Sequence, residues 1–337
     1  MTRRILVTGG AGYIGSHTCK ALAAEGYEPV VFDDLSNGHQ EAVVFGPLVI
    51  GDVRDAAAVS ACMQQHDIEA VIHFAGLIEV GRSVQEPSLF WDINLNGTAA
   101  VLAGMRAAGV PRIVFSSTAA VYGQANGDLL SETTTAAPIN PYGESKLAAE
   151  WLIAAHTRAY GREGVALRYF NASGADPDGD LGEAHQPESH LIPLAIEAAL
   201  GYGPPLQVFG LDFPTRDGAC VRDFIHVSDL ARAHVAALSA PLPESGFVAM
   251  NLGLGRGLSV LEVIAAVARV TGRPVPWNAA DRRAGDPPIL VADPDLARRR
   301  LGWRPLVDDI DEIVASAMAW RLHPRFGPAA PRCNHVV

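Results

Sequence analysis

A tyrosine and a lysine four residues apart form the pair best suited to chemistry in this chain. Tyr142 and Lys146 share one face of a predicted helix, because residues i and i+4 are neighbours on a helical surface. An ammonium group beside a phenol lowers the pKa of the tyrosine toward neutrality, where its phenolate can act as a general base. Thr118 ends a predicted strand and adds a hydroxyl that can bond to an oxygen losing its proton. These three residues are the predicted catalytic group.

A glycine-rich segment near the start of the chain predicts a dinucleotide-binding loop. Gly9, Gly12 and Gly15 follow a short apolar strand and open a helix. The first glycine permits a tight turn, the second lets a pyrophosphate approach the main chain, and the third lets the helix pack on the strand. The helix N-terminus adds positive partial charge. With this loop present, the alternative that Tyr142 and Lys146 are an exposed ring and a solvated lysine is disfavoured.

An acidic residue at the end of the second predicted strand selects the dinucleotide. Asp33 follows the loop at the distance, about 20 residues, where a carboxylate binds the ribose 2′-hydroxyl and repels a 2′-phosphate. NAD is therefore the predicted cofactor, and the alternative is that Asp33 is only a turn residue. The other predicted cofactor contacts are Tyr13, Ile14, Asn37, Asp52, Val53, Phe74, Ala75, Gly76, Lys146 and Phe170.

Longer strings of residues resemble one protein superfamily. They lie at 7–10, 12–17, 73–76, 117–123, 167–171 and 217–227, in addition to the Tyr142 and Lys146 pair. They resemble the extended short-chain dehydrogenase/reductase superfamily and, within it, the UDP-glucose 4-epimerase family, over about residues 5–320. The resemblance implies an NAD-dependent isomerase that interconverts UDP-galactose and UDP-glucose through a transient 4-keto sugar, with NAD regenerated in place.

The resemblance also implies roles for individual residues. Tyr142 removes the proton of the sugar 4-hydroxyl, Lys146 tunes Tyr142 and holds the nicotinamide ribose, and Thr118 bridges the sugar oxygen and the tyrosine. Leu290 stands where bulk admits or excludes an N-acetyl group at C2, and its intermediate size favours plain hexoses. The implied substrate contacts are Thr118, Asn171, Leu191, Arg222, Arg283 and Leu290.

Individual residues also bear on the diphosphate contacts and on rival activities. Arg222 and Arg283 suit a diphosphate in an acidic protein, although each could instead form an ordinary surface salt bridge. Dehydratases and decarboxylases of this fold carry acids after the strand-end hydroxyl, whereas this chain has Ala119 and Ala120, whose methyl groups cannot transfer protons. Epimerases of related UDP-sugars (N-acetylhexosamine, pentose or uronate) remain open, because their core chemistry is the same. A non-catalytic NAD-binding regulator is the remote alternative.

Composition narrows the classes of partner. The chain has 337 residues and a formal net charge of -11, which disfavours binding to nucleic acid or anionic lipid. No apolar run approaches the roughly 18 residues of a membrane span, and no signal peptide is evident, so a cytoplasmic protein is expected. Cys19, Cys62, Cys220 and Cys333 lack metal-ligand spacing, so free thiols and no metal site are expected.

Strands and helices alternate over the first half of the chain. Apolar strands are predicted at 5–8, 30–33, 48–50, 71–74, 113–116 and 165–169, and helices at 13–25, 55–66, 94–108 and 142–160. This pattern predicts an α/β fold with a doubly wound parallel sheet of the Rossmann type, which binds ligands at the carboxyl ends of its strands. Residues 1–170 are the predicted NAD-binding domain, with returns of the chain around 220–250.

The remaining residues, 171–337, are expected to form mainly a smaller α/β substrate-binding lobe. A loop is predicted at 171–185, a short strand at 221–227 and helices at 191–200, 228–238 and 308–321. Ser259 and Glu262 form a predicted capping box for a helix that ends at Gly272. A homodimer is implied by the resemblance, with the alanine-rich helices at 94–108 and 142–160 against the partner; burial within one chain is the alternative.

Overall fold

The computed structural model describes residues 3–124, 129–283 and 286–328. Its strands are β1 (Arg4–Thr8), β2 (Glu28–Asp33), β3 (Leu48–Ile50), β4 (Ala70–His73), β5 (Arg112–Thr118), β6 (Glu163–Tyr169), β7 (Asn171–Ser173), β8 (Leu206–Phe209), β9 (Val221–His226), β10 (Phe247–Leu252), β11 (Gly257–Ser259), β12 (Trp277–Ala280) and β13 (Ile289–Leu290). Its α-helices are α1 (Tyr13–Ala24), α2 (Ala56–Gln65), α3 (Val80–Gln85), α4 (Pro87–Phe90), α5 (Gly97–Ala108), α6 (Pro141–Tyr160), α7 (Leu191–Leu200), α8 (Val227–Ala237), α9 (Val260–Thr271), α10 (Asp295–Leu301) and α11 (Ile310–Leu322).

The main layer is a parallel sheet of seven strands in the order β10-β6-β5-β4-β1-β2-β3. The strands are apolar along their length because helices cover both faces, and Ile5, Leu6 and Val7 of β1 are fully buried. The strand order reverses between β1 and β4, so the crevice for ligands lies where these two strands end. The predicted doubly wound Rossmann-type fold is confirmed.

The second half of the chain contributes to two regions. β10 adds to the large sheet beside β6, and α8 packs on α1; both lie in or next to the segment 220–250. The smaller lobe is built around β9, which pairs with β7, β11 and β13, and around α7, α9 and α11, which bury a common apolar cluster. The helix α9 opens with the predicted capping box and ends at Gly272 in the left-handed conformation.

Two predicted elements need correction. The predicted loop at 171–185 is wrong for Asn171–Ser173, which form β7 because β9, about 50 residues later, supplies a parallel partner. The helix predicted from residue 94 becomes α-helical only at Gly97, since Trp91–Asn96 form a π-helical turn. Within the described residues, the structure contains no helix with the length and hydropathy required to cross a bilayer.

Local capping determines where α6 begins. The Asn140 side chain accepts a hydrogen bond from the main-chain nitrogen of Gly143 at 2.9 Å, and Pro141 occupies the first helical position. Proline suits that position because its missing N–H would have no helical partner. Tyr142 is thereby held in the first turn of α6, next to the end of β5.

Candidate active site

The structure brings the three predicted catalytic residues together at the carboxyl edge of the sheet. Thr118 is the last residue of β5, and Tyr142 and Lys146 lie one turn apart on α6. All three are buried, with exposed fractions of 8%, 9% and 2%. The Thr118 hydroxyl bonds to the Tyr142 phenol and also accepts from the main-chain nitrogen of Ala120 at 3.1 Å.

The electrostatics of this group correct one expectation. Burial raises the pKa of Tyr142, the hydrogen bond from Thr118 lowers it, and Glu79 raises it further. The expected lowering of this pKa by Lys146 is therefore wrong for the protein alone. The reason is that burial of the phenol is the largest effect on its pKa. The Lys146 ammonium donates to the Ser116 carbonyl at 3.0 Å, and burial lowers its own pKa to about 8.

The glycine loop is shaped by close main-chain contacts. Gly9 has a φ of +70°, and a Cβ there would lie 2.6 Å from the nitrogen of Ala75. A Cβ at Gly15 would lie 2.2 Å from the carbonyl oxygen of Gly9. Gly12 is the N-cap of α1 and has no side chain to cap the helix. The main-chain N–H groups of the first turn of α1 are therefore available to an anion.

Asp33 organises the loop from the end of β2. Its carboxylate accepts hydrogen bonds from the main-chain nitrogens of Ala11 at 3.0 Å and Leu35 at 2.9 Å, and burial raises its pKa. Each carboxylate oxygen accepts one of these bonds, so each keeps a lone pair for a ribose hydroxyl. The turn role and the cofactor role of Asp33 are therefore compatible.

The other predicted cofactor residues fall into two groups. Tyr13 and Ile14 open α1, while the main-chain nitrogens of Phe74 and Ala75 bond to the carbonyl of Thr8 at the end of β1. These residues border the β1/β4 crevice, as does Gly76. Asn37 is exposed, Val53 is buried, and Asp52 is held by Arg54 at 2.5 Å; Phe170 packs instead in an apolar cluster with Leu290.

Several predicted substrate residues meet on the small sheet. Asn171 is on β7, Arg222 on β9 and Leu290 on β13, and Leu290 stands opposite Arg222 in the strand register. The Arg222 guanidinium donates to the carbonyls of Val221 and Pro287, both at 2.9 Å.

Two other predicted substrate residues lie on different elements. Leu191 is the first residue of α7. Arg283 is exposed and stacks on the ring of Phe209 at 3.8 Å, so no described contact joins it to Arg222.

A buried polar network behind the catalytic group was missed by the sequence analysis. The Glu150 carboxylate accepts from the Ser117 hydroxyl and from Arg168 at 2.9 and 2.6 Å. Arg168 also donates to the Tyr122 hydroxyl at 3.0 Å, and that hydroxyl donates to Asn251 at 2.7 Å. Glu150 lies four residues after Lys146 on the same helical face, a spacing that could have identified it.

Asn94 is a second residue that the sequence analysis missed. Its side-chain oxygen accepts from the nitrogen of Leu77 at 2.8 Å, and its side-chain nitrogen donates to Ser145 at 3.1 Å. It thereby joins the segment after β4 to α6. A Cβ at Gly76 would lie 2.8 Å from this oxygen and 3.3 Å from the Lys146 nitrogen, so glycine leaves room beside the ammonium group.

Comparison with known proteins decides the family. A family model described as "NAD dependent epimerase/dehydratase family" matches residues 5–253. The chain belongs to this family. This member of the epimerase/dehydratase family is 51% identical, over 316 residues, to the UDP-glucose 4-epimerase of Rhizobium leguminosarum bv. trifolii. That match covers 94% of this chain and 96% of the relative.

Solved structures agree with this membership. The UDP-glucose 4-epimerase of Brucella ovis in complex with NAD is 49% identical and superposes with a TM-score of 0.91, covering 94% of this chain and 98% of that one. The enzyme of Bifidobacterium longum in complex with NAD+ and UDP is 39% identical, with a TM-score of 0.90 and the same coverages. The predicted resemblance, the NAD-dependent epimerase class and the NAD cofactor are confirmed.

The residues present fit NAD. Side chains at Gly9 and Gly15 would collide with the main chain of Ala75 and of Gly9, so glycine at these positions keeps the turn tight. A pyrophosphate could then approach the N-terminus of α1. Among the described residues, Lys146 donates one hydrogen bond, to Ser116, so two of its three N–H groups are available to the nicotinamide ribose. The acid Asp33 suits a free 2′-hydroxyl.

Proposed function

We propose that this chain is a UDP-glucose 4-epimerase that interconverts UDP-galactose and UDP-glucose through a 4-keto sugar. The observation that carries the proposal is the convergence of Thr118, Tyr142 and Lys146 at the sheet edge beside the glycine loop. Support comes from UDP-glucose 4-epimerases of about 50% identity that match over nearly the full chain.

The side chains would divide the proton chemistry between them. NAD, when bound, supplies the oxidising and then the reducing capacity for C4 of the sugar. Tyr142 takes the proton of the 4-hydroxyl and later returns it, and Thr118 holds the sugar oxygen against the phenol. Because burial favours the protonated phenol, positive charge at the site, including the Lys146 ammonium, is needed to stabilise the phenolate.

The remaining site assignments form part of the proposal. Residues 1–170, with the return through α8 and β10, would bind NAD, and residues 171–337 would mainly bind the UDP-sugar. Arg222 and Arg283 would have to turn toward the diphosphate, since they contact main-chain oxygens and Phe209 in the protein alone. The proposed substrate contacts are Thr118, Asn171, Leu191, Arg222, Arg283 and Leu290.

The proposal extends to a cytoplasmic homodimer. The helix α5 exposes Ala99, Ala103 and Ala107, which share one face, and α6 exposes 65% of Trp151. Small side chains let helices of a second copy approach closely, and a large exposed aromatic ring gains free energy from being covered. Light scattering of the wild type and of Trp151→Glu tests this: a dimer in the first and a monomer in the second are expected, and a monomeric wild type would contradict it.

The deciding experiment is proton NMR of UDP-galactose incubated with the purified protein, without added NAD or reductant. Appearance of UDP-glucose up to an equilibrium mixture is the expected result. Heat-denatured protein is the control. A folded, NAD-containing protein that leaves UDP-galactose unchanged would overturn the proposal, and conversion of a UDP-pentose or UDP-uronate instead would identify a related epimerase.

A further inference from the structure

Four potential metal ligands converge in the segment between β7 and α7. The side-chain oxygen of Glu183 lies 3.0 Å from Nδ1 of His185 and 2.6 Å from Nδ1 of His190. The Glu188 oxygen lies 3.1 Å from the same His190 nitrogen. One ligand atom from each of the four residues lies within 4.8 Å of all the others.

We propose that Glu183, His185, Glu188 and His190 form a structural Zn²⁺ site. Zinc prefers four ligands in a tetrahedron and accepts imidazole nitrogen and carboxylate oxygen at about 2.0–2.2 Å. Ligand atoms at the corners of such a tetrahedron are about 3.3–3.6 Å apart, so small side-chain rotations separate these close pairs enough to admit the ion. On binding, the ion would displace any proton from the two ligating imidazole nitrogens, and the two carboxylates would then balance its charge.

The surroundings of the carboxylates favour a cation. The side chains of Glu183 and Glu188 are only 7% and 14% exposed. In the metal-free protein their described partners are the imidazoles of His185 and His190 rather than a lysine or an arginine. Unlike an ammonium group, an imidazole can exchange its proton for a metal ion, so a divalent cation could take the place of these protons between the carboxylates. A cavity of about 190 Å³ borders Glu183, His185 and Glu188 and provides an entry path.

The main chain that carries the ligands is held by other parts of the fold. The carbonyl of Glu183 accepts from the Trp320 indole and that of Ala184 from His39, both at 2.9 Å. The Glu188 carboxylate accepts from the main-chain nitrogen of His190 at 2.8 Å. The ligand positions are therefore prearranged by α11 and by the segment after β2, which reduces the cost of ordering them around an ion.

The position of the site indicates what it would do. His190 caps α7, whose first residue is Leu191, and the His185 ring meets the Tyr13 ring edge-on at 6.2 Å. A zinc ion there would join the start of α7 to the first turn of α1. Its four protein ligands leave no open position, so the role is structural rather than catalytic.

The nearby acidic cluster is not a second site of this kind. Asp176, Asp178 and Asp180 surround the Lys20 ammonium at 2.7, 2.7 and 3.0 Å, so that cluster already contains its cation. Residues 183–190 carry their potential ligands at E-x-H-x-x-E-x-H spacing, which involves no cysteine.

The test is zinc binding by the tag-free, full-length protein. The protein is treated with a chelator, dialysed against micromolar zinc sulfate, freed of excess and assayed by elemental analysis. About one zinc per chain is expected in the wild type and in the control His66→Ala, with at least a tenfold weaker affinity in H185A/H190A. Equal zinc content in the wild type and the double variant would overturn the proposal.

A second measurement does not depend on the folding of a variant. The zinc X-ray absorption spectrum of the loaded wild type should show four nitrogen and oxygen ligands near 2.0 Å, including two imidazoles. A six-coordinate spectrum without imidazole, or no zinc uptake by the wild type, would overturn the assignment.

Discussion

The ammonium nitrogen of Lys146 lies 3.0 Å from the main-chain oxygen of Ser116, two residues before the catalytic candidate Thr118. This bond joins α6 to the end of β5, the strand whose last residue is Thr118. The phenol one helical turn earlier has the Thr118 hydroxyl as its hydrogen-bond partner.

Tyr142→Phe should fold and retain NAD, but its turnover should fall about 10²–10⁴-fold, which is the usual contribution of a general base. The reason is that phenylalanine keeps the ring and its packing but has no ionisable hydroxyl. NMR of UDP-galactose conversion and the NAD content after dialysis measure the two effects. Tyr27→Phe is the matched control, since Tyr27 lies in the turn between α1 and β2. Undiminished turnover in Tyr142→Phe would remove the general-base assignment.

Thr118→Val should lower turnover by about 10–100-fold, because it deletes the hydroxyl that bonds to the phenol and leaves the nitrogen of Ala120 without its acceptor. Thr118→Ser keeps the hydroxyl and should stay within a few-fold of the wild type. Steady-state rates with UDP-galactose provide the comparison. Equal rates in the two variants would show that the hydroxyl has no role.

Asp33→Ala should weaken NAD binding by roughly 10–100-fold, because it removes a charged hydrogen-bond acceptor, and should change UDP binding little. Asp34→Ala is the control, since Asp34 is exposed and bonds only to the nitrogen of Ser36 among the described contacts. Retained NAD after dialysis and calorimetric titration with UDP measure the two affinities. Equal weakening of both would indicate that Asp33 only shapes the turn.

Burial of Lys146 should make the stability of the NAD-free protein depend on pH. Its pKa falls from 10.5 to about 8 in the folded chain, so between these values the unfolded chain holds more protons. Lys146 therefore makes the free energy of unfolding rise between pH 8 and pH 10.5, by up to about 3 kcal/mol. Lys146→Met should be more stable than the wild type at pH 7, with the difference shrinking toward pH 10.5. Denaturant titrations at several pH values measure it, and a pH-independent difference would contradict the cause.

Leu290→Ala should increase conversion of UDP-N-acetylglucosamine relative to UDP-glucose, because it shortens a side chain that packs with Phe170 and Tyr122. Ile289→Ala is the control, since successive residues of a strand face opposite sides. The ratio of the two initial rates is the measurement. An unchanged ratio in Leu290→Ala would remove Leu290 from the specificity site.

Residues close in sequence were predictable because local geometry places them. The loop from Gly9 to Gly15, the i,i+4 pair of Tyr142 and Lys146, and the capping box of α9 each depend on spacing alone. The period of the apolar residues likewise indicated the parallel sheet. The chain's own residues therefore determined the fold class and the proposed catalytic residues Thr118, Tyr142 and Lys146.

Only the tertiary structure decided the relations between distant segments. β7 exists because β9 pairs with it, Lys146 donates to the carbonyl of Ser116, and Glu150 joins Ser117 to Arg168 inside the protein. These outcomes depend on which partners packing brings within hydrogen-bond reach and on the loss of water around them. Neither is encoded in local spacing, so burial and long-range contact had to be seen in three dimensions.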